Sequence, residues 1–277
     1  MDIKGALYLA KTTLLKSASD GVLRETRIVL SDILKKDLSF ILLNYDYELT
    51  QSEEKIFFEF LNRRKTGEPL QYILNEAYFY GREFYVDSRV LVPRKETELS
   101  LEYVIDKVKK ENLTDVLELG AGSGAFSISL GLETDANIRA CDISKAALEV
   151  CKINQKKFSS KCKFFESDLF SGIKGKFDLI YSNPPYIKSK DIENLQIEVK
   201  DFEPRLALDG GSDGLHFYRK IIANAKKYLK DVGYLVFEIG FDQARDVENL
   251  LLKEDFKNIE VLQDYSGKDR IISGKRI

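Results

Sequence analysis

From residue 115 onward the chain alternates short β-branched or aromatic runs with amphipathic stretches, and no other feature limits its possible folds so tightly. The runs are DVLELG (115–120), ANIRACD (136–142), CKFFESD (162–168), FDLIYS (177–182), YLVFEIG (234–240), NIEVLQD (258–264) and DRIISGKRI (269–277). Helical patterns separate several of them: AFSISLGLE, residues 144–157, residues 215–230 and residues 243–253. Repeated β-α units bury both faces of a sheet under helices, so the alternation predicts an α/β, doubly wound, mostly parallel seven-stranded sheet. The last two runs are joined by YSGK, too short for a parallel crossover, so the C-terminal strand is expected to be antiparallel.

The first 74 residues read differently. Ala6, Leu7, Ala10, Leu14 and Leu15 keep helical spacing, and Ile28, Leu30, Ile33 and Leu34 do so less perfectly. Thr50-Gln-Ser-Glu53 is a capping box opening the helix EKIFFEFLNRRK, which basic residues, Gly67 and Pro69 then close. Residues 76–92 (EAYFYGREFYVDSRVLV) form a hairpin pattern broken at Gly81. The expected division is a helical domain at 1–74, a β-hairpin linker at 75–93 and the α/β domain at 94–277. Periodicity alone leaves open whether the small bundle is a scaffold or a docking surface.

Composition excludes several functions. No apolar run approaches the roughly 20 residues that span a bilayer, and the start of the chain lacks a signal-peptide layout. The three cysteines, Cys141, Cys151 and Cys162, show no CxxC spacing, so neither a zinc site nor a disulfide framework is expected, and a reducing cytoplasm is the simplest location. A single histidine, His216, disfavours a Ser-His-Asp triad or a histidine-rich metal site, and no metal is expected. A formal net charge of −2 argues against a chain whose main grip is on a phosphate backbone.

Two turns carry chemistry. In LELGAGSGAF (117–126), Gly120, Gly122 and Gly124 stand with Ala121 and Ser123 between a strand and a helix, where backbone amides are free to donate and a ligand can come close. Asp142 ends the next strand, where a carboxylate can accept from both hydroxyls of a ribose; it also suits a helix start with Ser144 as the cap. The spacing is GxGxG rather than the GxGxxG of dinucleotide sites. Glu118 precedes it, and a negative charge suits a cationic ligand better than a diphosphate. S-adenosyl-L-methionine, with an adenosine, a sulfonium and an ammonium, fits this pattern.

The second turn follows FDLIYS: Asn183-Pro184-Pro185-Tyr186. Two prolines remove two backbone donors and fix two φ angles, so the segment is a stiff bend that no sheet partner can use. A planar amide or exocyclic amino nitrogen is a poor nucleophile because its lone pair is delocalised. Asn183 Oδ1 and the Pro184 carbonyl can accept its two N–H groups and draw it toward a tetrahedral shape, while the Tyr186 ring packs on the planar group. Tyr186 is no base, since an ordinary phenol titrates near 10. A nicotinamide-dependent oxidoreductase shares the glycine turn and the acidic residue but gives no reason for the proline bend.

These residues carry a likeness. Residues 94–277 resemble a class I S-adenosylmethionine-dependent methyltransferase, and Asn-Pro-Pro-Tyr resembles the branch acting on planar nitrogens, which includes adenine-N6, guanine-N2 and protein glutamine-N5 enzymes. GEPLQYIL (67–74), FYGREFYV (79–86), VLVPRKETE (90–98), EPRLALDGGSDGLHFYRKI (203–221), FEIG (237–240) with Gln243, and Asp264 with SGKDR (266–270) resemble the protein-(glutamine-N5) methyltransferase family called PrmC or HemK, over essentially the whole chain. The resemblance implies methyl transfer from S-adenosyl-L-methionine to the glutamine of the Gly-Gly-Gln motif of bacterial peptide-chain release factors. The alternative is a nucleic-acid amino-nitrogen methyltransferase using the same bend.

Carried over by position, the resemblance implies that Gly120, Ala121, Gly122, Ser123, Gly124, Asp142, Leu169 and Asn183 hold the cofactor. Asn183, Pro184, Pro185 and Tyr186 receive the glutamine, with Asn183, Pro184 and Tyr186 in the catalytic role. Relatives often carry an aromatic where this chain has Leu169, so Phe170 is a second candidate beside the adenine. They usually read PRPETE where residues 93–98 read PRKETE; Arg94, Glu96 and Glu98 are expected near the cofactor's methionine end. His216 is expected to serve packing or the surface. The expected state is a cytoplasmic monomer whose partner is the release factor, without direct nucleic-acid contact.

Overall fold

A computed structural model describes residues 1–14 and 21–277. The chain divides into two compact units, residues 1–75 with 196–202, and residues 76–195 with 203–277.

The smaller unit contains α1 (Ile3–Leu14), α2 (Gly21–Leu34), α3 (Leu38–Leu43), α4 (Gln51–Lys65) and α5 (Leu70–Leu74). On α1, the buried residues Ile3, Ala6, Leu7, Ala10 and Leu14 form the expected stripe; Leu15 lies outside the described residues. On α2 the buried face is Val22, Thr26, Val29, Leu30 and Leu34; of the expected Ile28, Leu30, Ile33 and Leu34, Leu30 and Leu34 are buried and Ile33 packs partly buried against the same core, while Val29 takes the place of Ile28. The capping box forms as expected: the Thr50 amide donates to Glu53 Oε2 at 2.7 Å and the Glu53 amide to Thr50 Oγ1 at 3.3 Å.

The larger unit opens with the hairpin β1 (Glu76–Phe79) and β2 (Arg82–Tyr85), then α6 (Glu96–Glu111). After these come β3 (Asp115–Leu119), α7 (Ala125–Glu133), β4 (Asn137–Asp142), α8 (Lys145–Lys157), β5 (Lys163–Glu166) and β6 (Phe177–Ser182). A single turn, α9 (Ile197–Lys200), interrupts the loop to α10 (His216–Tyr228). The chain ends with β7 (Leu229–Glu238), α11 (Ala244–Lys253), β8 (Lys257–Gln263) and β9 (Asp269–Lys275). The sheet order is β5-β4-β3-β6-β7-β9-β8; β9 alone runs antiparallel to its two neighbours. Seven strands, the parallel core and the antiparallel C-terminal strand match the expectation from the sequence.

The order places a reversal at the centre. From β3 the chain builds outward through β4 and β5, then returns to lay β6 on the other side of β3. Crossovers that leave in opposite directions open a crevice at the carboxyl ends of the two strands, the usual ligand position in open α/β sheets.

The expected domain limits differ from the packing in two places. The hairpin is no free linker: Phe79 and Phe84 are fully buried with Leu101, Val104 and Phe126, and the buried Asn154 holds β2 by accepting from the Tyr85 amide at 2.7 Å and donating to the Tyr85 carbonyl at 2.9 Å. Residues 196–202 belong to the smaller unit. There the buried Arg64 guanidinium pairs with Glu198 and with Glu25 (2.8 Å), a planar fork shared between two carboxylates. Ion pairing across 134 positions in sequence leaves no local trace, so the pattern reading had no access to it. Helix α6 was also not anticipated, although Leu101, Val104, Ile105 and Val108 show the i, i+3, i+4, i+7 spacing of a buried face.

Candidate active site

A cavity of about 360 Å³ opens at the carboxyl ends of β3, β4 and β6. The sequence-derived candidates on its wall are Glu118, Gly120, Ala121, Gly122, Ser123, Asp142, Leu169, Asn183, Pro184 and Pro185. Register explains the convergence of two motifs about sixty positions apart. Ser182 of β6 lies opposite Leu119 of β3, and its hydroxyl donates to the Leu119 carbonyl at 2.8 Å. The next residue on each strand, Gly120 and Asn183, therefore leaves the sheet at the same level.

The glycine turn keeps three residues in left-handed conformation, with φ of 84° at Gly120, 54° at Gly122 and 78° at Gly124. Gly124 is constrained most: a Cβ there would lie 3.1 Å from the Phe164 ring and 3.3 Å from Cys151 Sγ, at the point where α7 begins. Gly124 itself is not on the cavity wall; it shapes the turn from behind. Asn154 reaches the same turn, donating to the Ser123 carbonyl at 2.9 Å, so one buried amide ties β2 to the glycine turn.

Asp142 closes the turn from the neighbouring strand. Its Oδ2 accepts from the Gly122 amide at 2.9 Å and its Oδ1 from the Ser144 amide at 2.8 Å. Ser144 is the cap of α8, accepting from the Ala147 amide at 3.1 Å, so the capping and loop-holding roles coexist. Each carboxylate oxygen has a further lone pair for a hydroxyl. Burial raises the Asp142 carboxyl above its ordinary range, partly opposed by these amides.

Glu118 lies beneath the turn, fully buried and accepting from the Ser127 hydroxyl. Burial pushes its carboxyl up to about 8. A carboxyl that is neutral when alone and ionises beside a cation suits the charge inference drawn from the sequence.

Leu169 lines the cavity at φ 47°, and Phe170 does not: its ring is buried in the core, stacked on Tyr228 at 4.6 Å between centroids. The two adjacent side chains part here, Leu169 to the crevice and Phe170 to the core. The candidate adenine neighbour is the aliphatic Leu169.

The proline bend is braced from behind. The Gln243 side chain donates to the Tyr186 carbonyl at 3.1 Å and the Gly214 carbonyl at 3.2 Å, and accepts from the Gly240 amide at 3.0 Å. Gly214 comes so close that a Cβ would lie 2.4 Å from the Tyr186 carbonyl oxygen. A bridge from Ile187 to Asp209 secures the outgoing chain. Tyr186 is the one expected site residue of the bend that the cavity wall does not include. Its ring packs on the sheet core, and burial pushes its phenol up to about 12, so it supports the bend rather than facing the crevice.

Other wall residues were not assigned from sequence: Arg89, Val90, Thr97 and Phe217. His216, expected to be a packing or surface residue, also lies on the wall, edge-on to Phe217 at 5.1 Å. Of the acidic-basic run, Arg94 lines the cavity and pairs with the buried Glu203, whose other oxygen accepts from the Val92 amide at 3.3 Å. Glu98 instead accepts from the Tyr80 amide at 2.7 Å and pins the hairpin, and Glu96 is absent from the wall.

Comparison with known proteins agrees with this geometry. Residues 95–200 match the methyltransferase small domain and residues 6–74 match the PrmC N-terminal domain. The chain is 38% identical to the release factor glutamine methyltransferase of Clostridium acetobutylicum, covering 100% of this chain and 99% of that protein. It is 36% identical to the release factor glutamine methyltransferase of Bacillus cereus, with 98% of each chain covered. Among solved structures, a methyltransferase from Pyrococcus furiosus matches with a TM-score of 0.53 at 13% identity, covering 82% of this chain and 99% of that one. A T. thermophilus 16S rRNA methyltransferase, solved with AdoMet and guanosine, matches with a TM-score of 0.52 at 17% identity, covering 73% of this chain and 50% of that one. These two likenesses concern the fold.

Proposed function

The chain belongs to the release factor glutamine methyltransferase family, and from that membership we propose that it methylates the side-chain amide nitrogen of the glutamine in the Gly-Gly-Gln motif of bacterial release factors, using S-adenosyl-L-methionine. One observation carries the assignment of roles: the glycine turn with Asp142 and the proline-braced Asn183 share the wall of one cavity.

The cavity suits the cofactor on its own features. Side chains built at Gly120 and Gly122 would point into open space, and Asp142 retains acceptor capacity after binding two amides. Gly120, Ala121, Gly122 and Ser123 would bound its amino-acid portion above Glu118, Asp142 would take the ribose, and Leu169 would cover the base. When bound, S-adenosyl-L-methionine supplies a methyl group activated by a positively charged sulfur.

The chain's part in the reaction is to make a carboxamide nitrogen nucleophilic and to hold it in line. Asn183 Oδ1 and the Pro184 carbonyl accept the two N–H groups of the glutamine amide. Acceptors fixed before reaction stabilise the positive charge that grows on nitrogen, at no reorganisation cost. Pro184 and Pro185 keep the bend free of donors that would compete for the same oxygens. Transfer would form the nitrogen–carbon bond as the carbon–sulfur bond of the bound cofactor broke, the electron pair leaving with sulfur, while Asn183 and the Pro184 carbonyl would hold the nitrogen until its surplus proton passed to water. Holding two reactants in line is worth up to roughly 7–11 kcal/mol.

Among the described residues no helix is long and apolar enough to cross a membrane. We place the enzyme in the cytoplasm as a monomer, with residues 1–74 as the surface that engages the release factor. The test is mass spectrometry of the Gly-Gly-Gln peptide of a purified release factor after incubation with enzyme and cofactor. A single added methyl on the glutamine is expected. An unmodified peptide, or methylation of DNA or rRNA instead, would overturn the reading.

A further inference from the structure

Asn183 can present either of two faces. With Oδ1 toward the crevice it accepts an N–H from the substrate amide; turned over, it presents Nδ2 donors to another donor group and repels it. The proposed function therefore requires something to choose the orientation, and the prolines fix only the backbone.

Glu238, the last residue of β7, stands where that choice can be made. Ser182 lies opposite Phe237 in the β6–β7 ladder, which sets Asn183 beside Glu238. Strand alternation puts the Glu238 side chain on the same face as Val236 and Tyr181, the face covered by α6. It is 2% exposed and absent from the cavity wall, whereas Thr97 and Asn183 both lie on that wall. Both favour its ionised form. Its Oε2 has no hydrogen-bond partner among the described residues, while its backbone carbonyl accepts from the Tyr218 hydroxyl at 2.9 Å. A buried acid with an unpartnered oxygen is costly to the fold, so its retention beside Asn183 calls for a reason.

We propose that Glu238 is the positioning residue of methyl transfer: its carboxylate takes an N–H of the Asn183 amide and so leaves Asn183 Oδ1 facing the reacting nitrogen. A carboxylate only accepts, so it permits one orientation of the amide. Protonated, it can donate and permit the reverse. Its charge also polarises the Asn183 amide and makes Oδ1 the stronger acceptor as positive charge develops. The inference rests on the function proposed above.

The charged and titratable groups facing Glu238 are Glu96 on α6, Arg270 on β9, Tyr181 on β6, Tyr186 in the bend and Tyr218 on α10. Arg270 is already engaged by Asp264 at 2.9 Å. Burial dominates this surrounding and pushes the carboxyl up to about 7; Thr97, Arg270 and Asn183 oppose the rise and Glu96 adds to it. Catalysis should accordingly strengthen with rising pH as Glu238 ionises.

The experiment measures kcat and KM of the full-length enzyme on a purified release factor between about pH 5 and about pH 9, with cofactor affinity by calorimetry. For the wild type, kcat should rise through an inflection near 7. In Glu238→Gln, kcat at high pH should fall about 10- to 100-fold with little change in either KM, and the inflection should vanish. Thr97→Val removes a hydroxyl that favours the ionised form, so its inflection should move upward. Circular dichroism checks folding; if Glu238→Gln does not fold, the wild-type and Thr97→Val profiles decide. A Glu238→Gln enzyme with unchanged kcat and inflection, or a Thr97→Val enzyme with an unshifted one, would overturn the proposal. Failure of the wild type to methylate the release factor would instead defeat the proposed function.

Discussion

The two turns that meet at the crevice are made in opposite ways. The turn after β3 uses glycines at positive φ, and its amides are taken up within the fold, Gly120 and Ala121 by the Cys141 carbonyl, Gly122 by Asp142 and Gly124 by the Ala121 carbonyl, against the free donors expected from the sequence; the bend after β6 uses prolines, which have no amide to donate. One is folded tightly on its own hydrogen bonds and closed by an acceptor, Asp142; the other has no backbone donor at its two prolines and presents the Asn183 side chain on the cavity wall. Each also has a buried acid behind it, Glu118 under the first and Glu238 beside the second, both pushed well above the ordinary carboxyl range by burial. The difference teaches that a methyl-transfer site can separate its tasks by backbone chemistry. In the function proposed above, a close-approach glycine turn bounds the cofactor, and a rigid set of acceptors activates a nitrogen.

The comparison can be broken most decisively at Asn183. Asn183→Ala should lower kcat by about 10²- to 10³-fold or more while calorimetric cofactor affinity changes only a few-fold. Parallel loss of both would mean that the bend binds rather than activates. Gln243→Ala leaves the Tyr186 and Gly214 carbonyls and the Gly240 amide without their buried partner, at a cost of about 1–3 kcal/mol. The melting temperature should drop, and kcat should fall more than cofactor affinity does.

Gly124→Ala probes the other turn. A methyl group at φ 78° against Phe164 and Cys151 strains the turn by about 1–2 kcal/mol. Cofactor affinity should weaken roughly tenfold in calorimetry, with kcat at saturation nearly kept. The opposite pattern would erase the division of labour. The smallest effect is expected at Glu118. Its folded-state value of about 8 stands above the ordinary 4.5, so the folded chain keeps a proton that the unfolded chain has released. The stability this confers is complete below about 4.5 and is lost as pH rises through about 8. Glu118→Gln should flatten that decline in calorimetric melts of the free enzyme, leaving the shallower part due to Glu238. An unchanged slope would show that Glu118 is ionised in the fold.

Much of the site could be read along the chain because its parts are local motifs. Gly120 to Gly124, Asp142 and Asn183 to Pro185 each declare themselves through a backbone requirement that only certain residues meet. The adenine neighbour and the bracing residues could not be read in this way. Leu169 rather than Phe170 faces the crevice because one turn of chain sends the larger ring into the core. Gln243, Glu203 and Asn154 matter through partners 29 to 111 positions away, which no local window contains. Tyr186 shows the converse: membership of a motif suggested contact with substrate, whereas its ring packs against the core and is absent from the cavity wall.

By itself the sequence determined the succession of strands in the larger unit, the backbone conformation of the two turns and the family, since periodicity and backbone constraints are properties of short segments. Only the tertiary structure decided that the hairpin is part of the larger unit, that residues 196–202 pack with the helical bundle, and that Glu238 sits behind Asn183. Those outcomes depend on strand register and on burial. Both follow from which distant segments pack side by side, and that is settled by the energy of the whole core.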